Sequence, residues 1–356
     1  SGTIGNCTLV TKTLENAVFS DDVIRVTPAN EGDLGYLYAY FHSPTGRTIL
    51  QTNRYGSVIQ HIEPEHLAHL PVPLPPKNLR HKIGKLILES FALRDDSNQQ
   101  MHAASSALIE ALALPPLFEM QGRRIDQNVE FPCFNIKLNQ LEERLDASYH
   151  NPAAKAIVDH LKKHSAELTA VKDKRFSSGV VLPGRFKRIY VDEAHGIKFI
   201  GGKEIHQLNP VTNKFLSKTA HQKQLAGPLG IKKYSILTPA RGSLGTVALT
   251  CPHFCDWAIS DNVMQILSNE QTCGYLYLFL DSEYGSALIR RYTYGGVVDA
   301  IEPFHIQEVP VPVLKDAALQ SELNRMALQA NDQRYRAYLL EMEALALLER
   351  EVLAAE

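Results

Sequence analysis

Little in this chain invites covalent or metal chemistry. It has five cysteines in 356 residues (Cys7, Cys133, Cys251, Cys255 and Cys273). An odd, sparse set does not make a disulfide framework, and a reducing cytoplasm is the simplest setting for it. No apolar run approaches the roughly 20 residues of a membrane span, and no targeting segment is visible. There is no G-x-x-x-x-G-K-[ST] loop for a nucleoside triphosphate. The Asn/Asp-Pro-Pro-aromatic string of amino-methyltransferases is missing, as is an acidic-plus-lysine nuclease cluster. FIGGK at 199–203 lacks the glycine spacing that cradles a nucleotide cofactor. HSAE, EPEH and EPFH set His near Glu without zinc-hydrolase spacing, so a helix-capping or surface role is expected for them. These absences predict no catalytic residue and no cofactor.

CPHFC at 251–255 is the one metal-like string. Structural zinc takes four ligands, and a second pair is absent, so no metal is expected there. Trp257, the single tryptophan, reads as core.

Charge is scarce in net terms, at −2, but it is unevenly spread. Residues 144–240 hold 17 Lys+Arg against 7 Asp+Glu, a surplus of +10. A basic block in a near-neutral chain points to a local anionic partner, or else to a solvated basic face.

The strongest signal is an internal repeat. SGTIG at 1–5 matches RGSLG at 241–245, and FSDDVIRV at 19–26 matches ISDNVMQI at 259–266. Residues 35–73 and 274–312 are identical at 16 of 39 positions, from GYLY through IEP to PVP. Cys251 and Cys255 fall opposite Thr11 and Glu15, so the repeat does not need cysteine there. The run Thr8 to Val26 reads as paired strands. Each copy then leads through a proline-rich exit into a helical pattern, about 77–112 and 317–354. In the second, Leu319, Leu323, Met326 and Ala330 keep a coiled-coil rhythm. The two long helices are expected to pack on each other; docking of each on its own globular neighbour is the alternative. Residues 144–240, including RLDASYHNP, have no counterpart in the first copy. That predicts roughly a hundred further residues upstream of Ser1.

The ordered set, met twice, resembles the DNA specificity (S) subunit of type I restriction-modification systems. The resemblance implies an α+β fold: two target-recognition domains (mixed α/β, the first incomplete) joined by two long helices in an antiparallel coiled coil. The boundaries expected are 1–76 for the rear of the first recognition domain, 77–113 for the first long helix and 114–143 for a linker. The second recognition domain would span 144–314 and the second long helix 315–356. The family pattern also implies the partners: duplex DNA read as a split target, methyltransferase (M) subunits and, where one joins, a restriction/translocase (R) subunit.

A duplex reader needs cations for phosphates and planar polar groups for base edges. The candidates are Arg185, Lys187, Arg188 and Tyr190 in GRFKRIY, and Lys203 after Gly201 and Gly202. Lys214, Ser217 and Lys218 lie in a stretch read as a loop. Arg241 and Ser243 sit on the Gly-flanked turn, with Arg290, Arg291 and Tyr294 before the TYGG turn. In the first copy the counterparts are Arg54 and Tyr55. Two rivals remain: the recognition part of a fused restriction-methylation enzyme, and a scaffold whose basic block binds an acidic protein.

Overall fold

The computed structural model describes residues 4–52, 54–56, 60–120, 134–142, 144–212 and 214–354. Ser1 to Thr3, at the head of SGTIG, and Cys133 lie outside them, as does much of the expected linker. The chain divides into two compact units, residues 1–99 with 333–356, and residues 100–332. The first repeat falls in the first unit and the second repeat in the second.

The first unit is helical. It holds α1 (Leu34–His42), α2 (Pro44–Thr52), α3 (Pro64–Ala68) and the start of α4 (Lys77–Ala111). The second unit takes the end of α4, then α5 (Leu117–Met120), α6 (Pro152–His164), β1 (Glu167–Ala170) and β2 (Gly179–Val181). There follow β3 (Tyr190–Val191), β4 (Gly196–Ile200), β5 (Phe215–Ser217), α7 (Gln222–Ala226) and β6 (Ser235–Pro239). Next come β7 (Ala248–Leu249), β8 (Ala258–Ile259), β9 (Val263–Leu267), α8 (Cys273–Asp281), α9 (Glu283–Arg290), α10 (Pro303–Gln307) and β10 (Pro310–Val313). Helix α11 (Ala317–Leu348) starts in the second unit and ends in the first, closing in a π turn over Glu349–Leu353.

Two four-stranded sheets form the second unit. One has the order β2-β9-β6-β7 and is antiparallel throughout. The other is β3-β5-β4-β8, in which β4 and β8 run parallel. A separate ladder pairs β1 with β10, the PVPV exit. The main core gathers α8, α9 and strand residues around Tyr275, Phe279, Leu288 and Ile266, with Leu108 and Leu112 of α4 and Leu323 and Ala327 of α11.

The repeat is structural as well as sequential. In each copy a serine between two helices caps the second one. Gly46 N donates to Ser43 Oγ at 3.0 Å, and Gly285 N to Ser282 Oγ at 3.1 Å. Both glycines are demanded by space: an added Cβ would lie 1.9 Å from Tyr40 O or 2.1 Å from Phe279 O. The His–Glu pairs of EPEH and EPFH are capping boxes on α3 and α10, with Pro64 and Pro303 in the first turn. Helix capping was one of the two roles expected of them.

The long helices do pair within each unit. In the first, Ser90 Oγ donates to Ala337 O at 2.7 Å and Arg334 donates to Asn98 at 3.3 Å, an antiparallel order of partners. Ile83, Ile87 and Phe91 share a buried cluster with Ala344, Leu347 and Leu348. In the second, Gln100 donates to Gln329 at 3.0 Å.

Two expectations fail. Thr8 to Val26 does not form paired strands: it holds one 3-10 turn, Lys12–Leu14, and otherwise irregular chain. The repeat gives the reason. Its second-copy counterpart includes β9, which hydrogen-bonds to β2 on one side and β6 on the other, whereas among the described residues no strand pairs with 8–26. A strand without a ladder leaves its amides to water, and β-propensity does not offset that. The stretch is instead tied to α4, where Asp95 accepts from the Thr11 and Thr13 hydroxyls at 2.7 and 2.6 Å. The second failure is 214–219. Phe215–Ser217 is strand β5, central in its sheet between β3 and β4, not loop.

Candidate nucleic-acid interface

One end of the second unit gathers turns from both sheets. Strands β4, β6 and β8 finish there, and β9 starts there. The turns are stitched by backbone. Ser260 N donates to Ile200 O at 2.9 Å, and Ala240 N to Asn262 O at 2.8 Å. Side chains add to this: His206 Nε2 and Thr246 Oγ1 lie 3.1 Å apart, and Thr246 Oγ1 donates to Ser243 O at 3.1 Å. Two glycines make the Arg241–Gly245 turn possible, Gly242 at φ 82° and Gly245 at φ 86°. Residues with a Cβ rarely hold that geometry. A hairpin over 294–300 lies alongside: Gly242 N donates to Asp299 O and Ile301 N to Ala240 O.

The structure separates the predicted cations into free and committed groups. Arg185, Lys187, Lys203, Lys214, Lys218 and Arg241 are exposed, as is Ser243. Arg188 is exposed but leans on Asp261 and lies 5.5 Å from the Phe199 ring centre. It thereby fastens the 185–190 segment to the β8–β9 turn. Tyr190, 46% exposed, pairs in register with Leu216 and tilts against Phe199. Arg290 donates from Nε to Leu244 O at 3.1 Å, which anchors the glycine turn while its side chain stays at the surface.

Arg291 and Ser217 have structural work instead. Arg291 is only 17% exposed. It sits 4.2 Å from the centre of the Tyr149 ring and donates to Tyr149 O at 2.9 Å. Arg144 lies 4.5 Å from the same ring centre. Tyr149 thus holds two guanidinium groups, and its own hydroxyl donates to Glu142 at 2.6 Å. Burial pushes that phenol up to about 12. Ser217 is buried and caps the following turn through Ala220 N at 3.2 Å. On the Gly201–Lys203 turn, the Gly201 amide donates to the Glu204 carboxylate at 2.9 Å.

Tyr294 and its first-repeat counterpart Tyr55 are both exposed, and both spend their hydroxyls on the capping glutamates Glu302 and Glu63. Arg54 is exposed and lies in the first unit.

At CPHFC, Cys251 is buried and 3.0 Å from Asn331 Oδ1, while Cys255 is exposed. The His253 ring is 2.9 Å from Leu208 O and packs edge-on to Phe254 and Trp257. Burial lowers its pKa to about 4, so it is a neutral core residue at ordinary pH. Trp257 is buried, as read, and Lys198 lies over its ring at 4.8 Å. Among the described residues no His/Cys/Asp/Glu group could hold a metal ion, and no helix is long and apolar enough to cross a membrane.

Sequence inspection missed three contributors. Asp261 holds Arg188, the His206–Thr246 contact joins two turns, and Tyr149 holds Arg291. Each pairs residues at least 40 positions apart, and no local pattern announces such a pair.

No family model and no curated protein sequence matches the chain. Among solved structures it is similar to the type I restriction-modification S subunit from M. genitalium, with 16% identity and a TM-score of 0.37 over 89% of this chain and 71% of that one. It is also similar to the HsdS subunit from Thermoanaerobacter tengcongensis, with 13% identity and a TM-score of 0.32 over 89% and 69%. A third similar structure concerns complex assembly and conformational transition of a type I R-M system, with 13% identity and a TM-score of 0.34 over 88% and 70%.

Proposed function

We propose that this chain is a non-catalytic DNA-specificity subunit, which reads duplex DNA through its recognition modules and recruits methyltransferase (M) subunits. The observation that carries the proposal is the rim of the second unit. There Arg185, Lys187, Lys203 and Arg241 stand exposed on turns fastened to one another by backbone and side-chain bonds. Exposed cations on rigid turns can meet phosphates without first ordering a loop. Ser243 and Tyr190 add polar groups of the kind that contact base edges or sugar–phosphate.

The repeat supplies the rest. The same helix pair, capping box and tyrosine turn occur in both units, which suits a target read in two halves. The second recognition module is taken as 144–314 and the long helices as spacers between modules.

The test is binding of the full chain to random and selected duplexes at two salt concentrations. Affinity should fall steeply with salt, with a log–log slope of about −0.9 per phosphate neutralised. Arg241→Ala should make that slope shallower by about one. An absence of salt-dependent duplex binding would end the proposal. Competition by an acidic protein but not by DNA would favour the scaffold instead.

A further inference from the structure

The hairpin over 294–300 ends in an apolar tip amid this cationic rim. Val297 is 100% exposed and Val298 56% exposed. Two adjacent β-branched side chains left in water at a loop tip do nothing for the core. Their support is firm nonetheless. Tyr294 N donates to Ala300 O at 3.0 Å, and Ala300 N returns a bond to Tyr294 O at 2.8 Å. The Tyr294 hydroxyl donates to Glu302 at 2.5 Å, and Glu302 also caps α10. Gly295 takes φ 113°, turning the chain at the start of the tip. Arg241 bridges Ala300, two residues from Val298, and Arg290 holds the same glycine turn at Leu244.

The feature is repeated. Tyr55 and His61 exchange the equivalent pair of backbone bonds at 3.0 and 2.8 Å, and Gly56 takes φ 98°. The sequence places Val58 and Ile59 where the second copy has Val297 and Val298; those two lie outside the described residues. Phe304, also exposed, is not repeated, since its counterpart is Glu65.

We propose that Val297 and Val298 form an apolar wedge that partly unstacks a base step of bound duplex DNA, an inference that rests on the DNA-reading function above. Proteins that kink duplexes insert apolar side chains between base steps from the minor groove, with cations holding the flanking backbone. Valine suits a wedge because branching at Cβ leaves it few rotamers, so it meets the stack as a stiff body. The cations at the base of the hairpin, Arg241 and Arg290, favour a polyanion over an apolar protein groove as the occupant. Asp299, the one carboxylate within the hairpin, has its backbone carbonyl on the Gly242 amide.

The probe is a duplex selected by the full chain from a random pool, carrying 2-aminopurine in place of successive adenines. Bound wild-type protein should raise the fluorescence at one step. The double variant Val297→Ser with Val298→Ser should abolish that rise and weaken binding about tenfold, the scale of one mismatched base pair. Its salt slope should be unchanged, because no phosphate contact is lost. An unchanged melting temperature, expected for such exposed positions, keeps the comparison clean. Binding without any unstacking would overturn the wedge alone. So would equal affinity and fluorescence in the variant, the result expected if the valines dock a protein. A loss of affinity on replacing thymine by uracil, with no unstacking, would convert the contact to methyl packing. Failure to bind any duplex would overturn the function and the wedge together.

Discussion

Tyr36 and Tyr275 do the same thing in the two repeats. Each buried hydroxyl donates at 2.7 Å to the carbonyl of the exit proline, Pro73 or Pro312. Gly35 and Gly274, just before them, lie against Gly84 of α4 and Asn324 of α11, where an added Cβ would be 2.3 or 2.5 Å from a backbone oxygen. From this point onward the helices of the two units agree one by one, although the exit differs: Pro310–Val313 pairs with β1, while residues 71–74 form no strand. Before it they part. In the second unit Val263 and Ile266 are buried in a strand between two others. In the first, the corresponding Val23 and Val26 are half-exposed in irregular chain, and Val18 is 98% exposed. Helices close their hydrogen bonds within their own residues, so a repeat can rebuild them anywhere. Strands close theirs on other segments, so the same residues fold only where the partners exist.

The helix pairs differ as well. In the first unit Glu341, 1% exposed, accepts from Tyr38 at 2.7 Å and Arg94 at 2.6 Å. The register set by Gly84 and Asn324 places Met101 at the matching position in the second unit. There Tyr277 donates to Asp281 of its own helix, and Asn324 accepts from the Gly274 and Tyr275 amides at 2.8 and 3.1 Å. One pair is keyed by a buried charge, the other by a neutral amide.

Changes at these points test the comparison, beginning with the largest effect. Glu341→Ala should destabilise the first unit by about 3–5 kcal/mol, since it leaves Arg94 facing a half-buried gap. Met101→Ala should cost less than half of that in denaturant titrations followed by hydrogen exchange in each unit. Gly285→Ala should cost about 3 kcal/mol in the second unit through the clash with Phe279 O, and Gly46→Ala a similar amount in the first. Equal losses for the two glycines would sharpen the equivalence; a loss in one alone would break it.

Acid should affect both units alike. His42 and His253 are each lowered to about 4, in both cases chiefly by burial, although Glu341 3.5 Å from His42 acts the other way. Between about pH 6.5 and 4 the unfolded chain binds protons that the folded one refuses, so stability falls as pH falls through that window. The loss should be no more than about 3 kcal/mol per histidine. Urea midpoints against pH would check it, with His42→Asn or His253→Asn flattening the curve. The smallest effect expected is in binding. Arg54→Ala in the first unit and Arg241→Ala in the second should each reduce the salt slope by about one. Arg291→Ala should lower stability and leave the slope unchanged.

Much of this was legible in the sequence. The long helices follow from apolar spacing, the capping boxes from Glu-Pro-x-His, and the repeat from identity held in one register. Arg185, Lys187 and Arg241 stand exposed, because charged side chains seek water unless paired. What misled was distance along the chain. Arg291 and Arg241 look alike as letters, but only one meets Tyr149, 142 residues away. Phe215–Ser217 looks like loop until β3 and β4 flank it.

The sequence by itself determined the duplication, the two long helices, the proline-led exits and the basic block at 144–240. These depend on spacing and composition within short stretches, where side-chain periodicity and capping act locally. Only the tertiary structure decided which strands exist, which cations are free and where the exposed valines sit. Each of those depends on what a distant segment brings to a backbone amide, a guanidinium or an apolar surface. Such partners are chosen by packing, and no window of neighbouring residues contains them.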